Sequence, residues 1–532
     1  MDKLVLLGDE AIAQAAIDGG ISGVYAYPGT PSTEITEYIQ RSKTAAERNI
    51  HSDWSANEKT AMEAALGMSY AGKRALVCMK HVGLNVAADA FINSAITGIN
   101  GGLVVLVADD PSMHSSQNEQ DSRFYGKFSM VPVLEPANQQ ECYDLTYKAY
   151  ELSEKYKLPV LVRVTTRLAH SRAGVIRREL LPQNETRIPG DHTQFILLPA
   201  FARKRYRGLL DQQPDLEADA GSLGFNVIQQ GKDRSRGIIA CGIAYNYYLE
   251  VATRYQLDHP VLKVSHYPVP SAMLQEMADS TDELLVMEEG YPLVEELLTG
   301  VLKTRYRVRG RLTGDLPRDG ELDPGKVARA LGIQVQEGRE IPQVVTNRPP
   351  ALCKGCSHID MYNALNEALQ PYGPGRVFSD IGCYTLGALP PYNAINSCVD
   401  MGASVTMAKG ASDAGLRPAV AVIGDSTFTH SGMTGLLDAV IEQTPVTVII
   451  SDNSTTGMTG GQKSHATNRL LNICKGLGVE EQHIIEINPL KKHHEENTGI
   501  IADELAYEGV SVIIASRECI QTASRRKKEA KQ

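Results

Sequence analysis

Apolar residues along the chain fall into two alternating patterns. The runs "RALVCMK", "GGLVVLVADD" and "LPVLVRVTT" are continuously apolar with little alternation, which predicts strands buried on both faces, as in a parallel sheet. Between such runs lies helical spacing. In "NEKTAMEAALGMSYAG" the positions Met62, Ala65, Leu66 and Ser69 share one face, and Gly72 ends the pattern. "GVYAYPGTPS" is a short apolar run closed by a Gly-Pro turn. This strand–helix alternation predicts one α/β domain over residues 1–171. Residues 172–224, with "RRELLPQNETRIPGDHTQF" and "RGLLDQQPDLEADAG", are polar and weakly periodic and read as a long connection. "SRGIIACGIAYNYYLEVATRY" restarts the pattern, giving a second α/β domain over 225–335. "EGREIPQVVTNRPP" reads as a linker. A third α/β domain, 345–532, has strands at "RVFSDIG", "PAVAVIGD", "VTVIISDN" and "GVSVIIAS". The fold class is therefore α/β, with three doubly wound, parallel-sheet domains.

The length of 532 residues suits three or four domains, and 42% hydrophobic residues suffice for sizeable cores. The net charge of -10 argues against nucleic acid as the main partner. The basic stretch "RRKKEAK" at 525–531 reads as a solvated terminus. No apolar run approaches the ~18 residues of a membrane span. The start, "MDKLVLLGDEAIAQ", lacks a signal-peptide pattern. The nine cysteines are mostly scattered, so the expected location is the reducing cytoplasm, away from membranes.

In open parallel sheets, ligands bind beyond the carboxyl ends of the strands. One strand stops at Gly424 and Asp425; the next, "VTVII", stops at "SDNSTTGMTGGQ". Magnesium takes oxygen ligands in near-octahedral geometry and bridges protein oxygens to phosphates. Asp425, Asn453 and the backbone carbonyl of Thr455 would supply three such ligands and leave room for phosphate oxygens and water. Small residues in "STTGMTGGQ" would let backbone N–H groups approach a diphosphate. The plainer reading of Asp425 is a capped turn. Cys353 and Cys356 form "CKGC", which suits zinc, a redox pair or an iron–sulfur cluster. A zinc site using His358 still needs a fourth ligand. Cys383 and Cys519 both follow predicted strands, while Cys78, Cys142 and Cys241 read as ordinary buried cysteines.

A Gly-Asp, a spacer of about thirty residues and an Asn resemble the magnesium motif of thiamine-diphosphate enzymes, with Ser426 of "GDSTF" replacing the commoner second glycine. Adding "YPGTPSTEI", "NEKTAMEAALGMSYAGKRALVCMKHVGLNVAADA", "ADDPSMHSSQNEQDSR", "CKGC" and "DIGCYTLGALPP", the chain resembles the alpha subunit of the indolepyruvate:ferredoxin oxidoreductases. These are thiamine-diphosphate-dependent 2-oxoacid oxidoreductases. The resemblance implies a pyrimidine-binding domain at 1–171, a transketolase C-terminal-like domain at 225–335 and a diphosphate- and magnesium-binding domain at 345–532.

The resemblance also implies site residues. Glu58 would be the carboxylate that holds the cofactor's aminopyrimidine; a first-turn helix acid is the alternative, and Glu63 competes from five residues on. Thr30 would lie near the reacting carbon. Arg123 would hold the substrate carboxylate, or else form a surface ion pair with Glu119 or Asp121. Lys80, His81 and His430 sit in or beside the motifs, where a histidine could move protons. The cofactor would lie against Gly29, Thr30, Glu58, Gly424, Asp425, Ser426, Asn453, Thr455, Gly457 and Met458. Cys353, Cys356, Cys383 and Cys519 would hold one 4Fe-4S cluster, although Glu518 stands where the family often has proline; Cys398 and Cys474 are possible substitutes.

The implied reaction is oxidative decarboxylation of an aryl 2-oxoacid such as indolepyruvate to its acyl-CoA. Coenzyme A is the co-substrate and ferredoxin the acceptor. The implied assembly is a dimer of heterodimers with a smaller beta-type subunit. The family usually continues into a ferredoxin-like segment dense in cysteine, whereas this sequence stops at Gln532. Electrons would then leave through a separate protein, or the chemistry would be that of a non-oxidative decarboxylase or carboligase. A cofactor-binding scaffold without turnover is the third reading.

Overall fold

The computed structural model describes residues 3–301, 305–335, 338, 340–346 and 349–529. The chain divides into two compact units, 1–339 and 340–532. Both are α/β with mostly parallel sheets. Among the described residues no helix is long and apolar enough to cross a membrane.

The first unit is built on a seven-stranded sheet. Its spatial order is His266–Tyr267, Val133–Leu134, Val160–Thr165, Leu103–Asp109, Ala75–Lys80, Gly23–Ala26 and His51–Trp54. Every pairing is parallel except that of His266–Tyr267. The strands Ala75–Lys80, Leu103–Asp109 and Val160–Thr165 are buried throughout, which explains their unbroken apolar runs. A second sheet of five strands has the order Val308–Arg309, Leu284–Met287, Gly237–Cys241, Val261–Val264 and Val227–Gln229.

These two sheets share one hydrophobic core. They are also stitched together by sequence: Val261–Val264 belongs to the five-stranded sheet, and His266–Tyr267 crosses to the edge of the seven-stranded one. The stretch 172–224, read from sequence as a connection, holds more structure than that reading supposes. Arg172–Ile176 pairs antiparallel with Lys3–Leu7, and two helices follow at Pro199–Asp211 and Gln213–Ser222. Those helices bury only Leu209, Leu216 and Ala220, so their sequence carries almost no apolar periodicity.

The second unit is a six-stranded, all-parallel sheet. Its order is Ser397–Cys398, Val377–Ser379, Val420–Gly424, Val446–Asp452, Val510–Ser516 and Ile484–Ile487. Apolar clusters cover both faces, as an all-parallel sheet requires. The four strands expected from sequence are present, and the two short edge strands join them.

Candidate active site

Asp425 directly follows the strand Val420–Gly424. Gly424 pairs with Ser451 of the neighbouring parallel strand, so Asp425 and Asn453 leave the sheet at the same carboxyl edge. Asp425 is buried, and its Oδ2 has no hydrogen-bond partner. Burial pushes its pKa up to about 7; a hydrogen bond from Ser464 opposes the shift, and the charge of Asp452 adds to it. A buried carboxylate with an orphaned oxygen is a position that a cation would stabilise.

The Asn453 side-chain oxygen accepts from the Thr455 N–H at 3.1 Å, with Ser454 between them in the left-handed conformation (φ 62°). Thr455–Thr456 then pairs antiparallel with Gln462–Lys463 and closes the glycine-bearing loop. Ser426, which stands where related motifs carry glycine, places its hydroxyl 3.0 Å from that of Thr456, so the loop accommodates the larger side chain. Gly424 has no such room: a Cβ there would fall 2.5 Å from the Tyr384 ring. Met458 is exposed on the loop, and His430 is buried with its Nδ1 against the Ser431 hydroxyl.

Cys353, Cys356, Cys383 and Cys519 line one cavity of about 110 Å³, which Asn453, Gly457 and His358 also line. Three separate elements deliver them. The CxxC turn is closed by a Cys356 N–H donating to the Cys353 carbonyl at 2.9 Å, just before the helix Ser357–Leu369. Cys383 opens the helical turn after the strand Val377–Ser379. Cys519 follows the strand Val510–Ser516, and its N–H donates to the Asn453 carbonyl at 3.1 Å. A Cβ on Gly457 would lie 3.1 Å from the Cys383 sulfur, so the glycine loop and this thiol share a wall.

Burial pushes the Cys383 thiol up to about 12, with Cys356, Cys519 and Cys353 adding to the shift. Zinc bound tetrahedrally by thiolates brings them to about 3.8 Å of one another. Among the described residues no three of these thiols lie within 4.8 Å of one another. His358, the sequence candidate for a zinc ligand, is buried with Nδ1 2.6 Å from the Ser451 hydroxyl. Cys398 and Cys474 stand outside the cavity. Sequence reasoning missed Asp380, which also ends a strand. It accepts from Ser404 at 2.6 Å and from the Tyr384 hydroxyl. The signal was there in "FSDIG": a lone acid closing an apolar run.

In the first unit, Gly23–Ala26 and Ala75–Lys80 are adjacent parallel strands. The loop after the first carries Gly29 and Thr30; the second runs into the helix His81–Thr97. A Cβ on Gly29 would meet the Lys80 side chain at 3.4 Å. The Lys80 ammonium donates to the Ser115 carbonyl at 2.7 Å, and the Ser115 hydroxyl lies 3.4 Å from the Thr30 carbonyl. Burial pulls the Lys80 pKa down to about 8 against the opposing charge of Asp110. His81 has Nε2 3.2 Å from the Asn118 carbonyl, and its Nδ1 is buried without a partner.

Glu58 opens the helix Glu58–Tyr70, whose cap is the Asn57 side chain accepting from Thr60 N–H at 2.8 Å. Glu58 is buried and packs on Gly83, where a Cβ would fall 2.6 Å from its Oε1. Glu63 lies on the outer face, paired with Lys59. Of the two acids, Glu58 is the buried one and Glu63 the exposed one.

Arg123 forms an ion pair with Asp121, as the other reading from sequence has it, but the pair is buried and not at the surface, and the guanidinium is taken up by protein partners. It is almost completely buried. Its guanidinium donates to Asp121 (3.0 Å from Nε), to the Tyr267 hydroxyl (3.1 Å), to Glu288 (2.9 Å) and to the carbonyls of Glu289 (3.1 Å) and Tyr291 (2.9 Å). Burial works against its charge, but Asp121, Tyr267, Glu135 and Glu288 outweigh that and push its pKa up. The planar fork is spent inside the protein, bracing the seven-stranded sheet against the five-stranded one.

Comparison with known proteins finds two family matches along the chain. Residues 14–190, which include Thr30 and Glu58, match the family described as pyruvate flavodoxin/ferredoxin oxidoreductase, thiamine diP-bdg. Residues 380–484, which include Asp425 and Asn453, match the thiamine pyrophosphate enzyme, C-terminal TPP binding domain. The indolepyruvate oxidoreductase subunit IorA of Archaeoglobus fulgidus is 38% identical over 100% of this chain and 89% of its own length. That of Methanothermobacter marburgensis is 39% identical over 98% of this chain and 87% of its own. In fold, the chain resembles a 2-oxoglutarate:ferredoxin oxidoreductase from Magnetococcus marinus, with TM-score 0.51 and 16% identity over 62% of this chain and 65% of that one. Both thiamine-diphosphate domain families lie where the strand-end chemistry is, and the identity runs along the whole chain. The chain therefore belongs to the family of indolepyruvate oxidoreductase IorA subunits, thiamine-diphosphate-dependent oxidoreductases.

Proposed function

We propose that this chain is the catalytic alpha-type subunit of an enzyme that oxidatively decarboxylates an aryl 2-oxoacid, of the indolepyruvate kind, to its acyl-CoA. A 4Fe-4S cluster held by Cys353, Cys356, Cys383 and Cys519 would supply the electron path to ferredoxin or a ferredoxin-like partner. The observation that carries this reading is the second unit's strand-end edge. There a buried, orphaned carboxylate and a glycine loop stand beside a cavity lined by four cysteines.

Asp425, the Asn453 side chain and the Thr455 carbonyl would hold Mg2+ beside the cofactor's diphosphate, with Gly424, Ser426, Gly457 and Met458 around it. Glu58 holds the aminopyrimidine, and Gly83 gives it the space to do so. The cofactor supplies the nucleophilic carbon and the electron sink for decarboxylation. The chain's own groups orient and exclude water. Thr30 and Gly29 form a rigid loop braced through Ser115 and Lys80, and His81 and His430 are the candidates for moving protons. Cys353, Cys356, Cys383 and Cys519 are the ligands for the cluster. The pyrimidine-binding domain is residues 1–171, the transketolase C-terminal-like domain 225–335 and the diphosphate domain 345–532. A smaller beta-type subunit completes the enzyme as a dimer of heterodimers, working in the cytoplasm.

Iron and sulfide analysis of chain purified without oxygen tests the reading. About four iron atoms per chain are expected from one such cluster, with losses in Cys353→Ser, Cys356→Ser, Cys383→Ser and Cys519→Ser. Zinc or no metal at these thiols would remove the electron path and turn the assignment to non-oxidative decarboxylation.

A further inference from the structure

Three metal-ligating side chains converge in the first unit outside the site described above. Asp9 lies in the first turn of the helix Gly8–Asp18, Glu34 in the helix Thr33–Arg41, and His170 ends the short helix Thr166–His170. One ligand atom from each lies within 4.8 Å of the other two, and His170 Nε2 is 3.6 Å from Glu34 Oε1. The backbone enforces this meeting. A Cβ on Gly8 would fall 2.2 Å from the Leu168 carbonyl oxygen, and the Gly8 N–H donates to the Ser171 carbonyl at 3.2 Å. The start of one helix is thereby clamped to the turn that carries His170.

An independent observation points to a ligand. Asp9 is 0% exposed, and neither of its carboxylate oxygens has a hydrogen-bond partner. Glu34 Oε2 is likewise buried without one. A carboxylate so placed is costly unless a positive charge meets it. The neighbouring acid does not share the burden: Glu10 turns back to accept from the Leu7 N–H at 2.9 Å and lies 4.0 Å from Arg172. The side chains of His170 and Glu34 keep 35% and 34% exposure, which leaves an ion a way in.

We propose that Asp9, Glu34 and His170 bind one divalent first-row cation that accepts mixed nitrogen and oxygen ligands, of the Mn2+ or Zn2+ kind. Two carboxylates balance the charge, a neutral imidazole adds the third ligand, and water from the open side completes the shell. The ion ties together three segments. One is the helix Gly8–Asp18 and one the helix Thr33–Arg41, which follows the Thr30 loop. Another is the helix Thr166–His170, whose Thr166 hydroxyl donates to Asp110 at 2.7 Å. Asp110 in turn accepts from Ser115, the residue that touches Thr30 and Lys80. The ion therefore stiffens the back of the Thr30 loop. It uses neither Asp425 nor the cysteines, so it stands independently of the proposed function.

The test uses the full chain, stripped with EDTA and free of thiamine diphosphate. Mn2+ is titrated and the free ion read by EPR, since this ion prefers nitrogen and oxygen ligands to thiolates. Asp9→Asn, Glu34→Gln and His170→Gln are each expected to bind one equivalent fewer than wild type and to lose the Mn2+-dependent rise in Tm. Without metal, Asp9→Asn should melt no lower than wild type, because the amide replaces an unpartnered carboxyl whose pKa burial and the Glu34 charge already push well up. Equal stoichiometry in all four proteins overturns the proposal. So does a loss confined to Asp9→Asn. If Asp9→Asn does not fold, the two part-exposed positions decide the matter on the same readout.

Discussion

The carboxylate of Asp425 is buried with one oxygen unpartnered, at the end of a strand whose neighbour ends in Asn453. In the proposed site, a group so placed would trade stability for function. Asp425→Asn is expected to unfold at no lower denaturant concentration than wild type in the absence of cofactor, yet to bind thiamine diphosphate and Mg2+ at least tenfold more weakly, about 1.4 kcal/mol. Calorimetry showing wild-type affinity in that variant would remove the metal assignment. Gly83 supports a second prediction of the same form. A Cβ there would fall 2.6 Å from Glu58 Oε1, so Gly83→Ala must displace the carboxylate. Alanine is favoured over glycine within a helix by about 1 kcal/mol, so the helix itself should not weaken. Gly83→Ala and Glu58→Gln should both retain cofactor and both slow exchange of the thiazolium proton, read by NMR after acid quench. Fast exchange in both would hand the role to another group. The positions were legible in sequence because each closes or opens an element, Asp425 after an apolar run and Glu58 at the start of a helix, while the role given to Glu58 came from the family resemblance alone. Gly83 was not, since its meaning lies in a helix packing against another twenty-five positions away.

The strand His266–Tyr267 and the ion cluster around Arg123 show what elements add to single residues. The alternating pattern along the chain was enough to read the parallel sheets, because buried central strands are written as unbroken apolar runs. It could not reveal that a two-residue strand from one sheet would close the edge of the other. Nor could it reveal where Arg123 points: its partner Glu288 is 165 residues away. A guanidinium beside acids within "NEQDSR" suits substrate binding and bracing equally until the second sheet is in place. The helices of 199–222 were invisible for the opposite reason, since surface helices with so few buried residues have no apolar stripe. Because Arg123, Arg163, Asp121, Glu135 and Glu288 lie together without solvent, removing one partner leaves uncompensated charge. Arg123→Met should destabilise the protein by about 3–5 kcal/mol, seen as a lower urea midpoint. An unchanged midpoint with a raised KM for the oxoacid would return Arg123 to the substrate.

At the scale of the molecule, the first unit behaves as one body because its two sheets share a core, and a buried histidine lies where they join. His266 is buried with neither ring nitrogen bonded. Burial pulls its pKa down to about 4, against the charge of Asp219, which raises it. The unfolded chain has the ordinary histidine value of about 6.5. The unfolded state therefore binds more protons between these values, and stability must fall as pH falls. The contribution is fully present above the unfolded pKa. It declines through the window from about 6.5 to about 4 and is gone below the folded value. Between pH 7 and pH 5 the loss amounts to about 2 kcal/mol. Buried acids with raised pKa values act in the opposite sense: Asp380, pushed to about 6 by burial, destabilises the fold as pH rises through its range. The wild-type profile alone thus mixes both signs. Comparing it with His266→Leu isolates the histidine, because the acids are common to both proteins. Urea unfolding at pH 7 and pH 5 should show the wild type losing about 2 kcal/mol more than His266→Leu over that interval. Parallel losses in the two proteins would mean that the ring finds a proton acceptor in the fold, and that the junction between the sheets is wetter than its packing indicates.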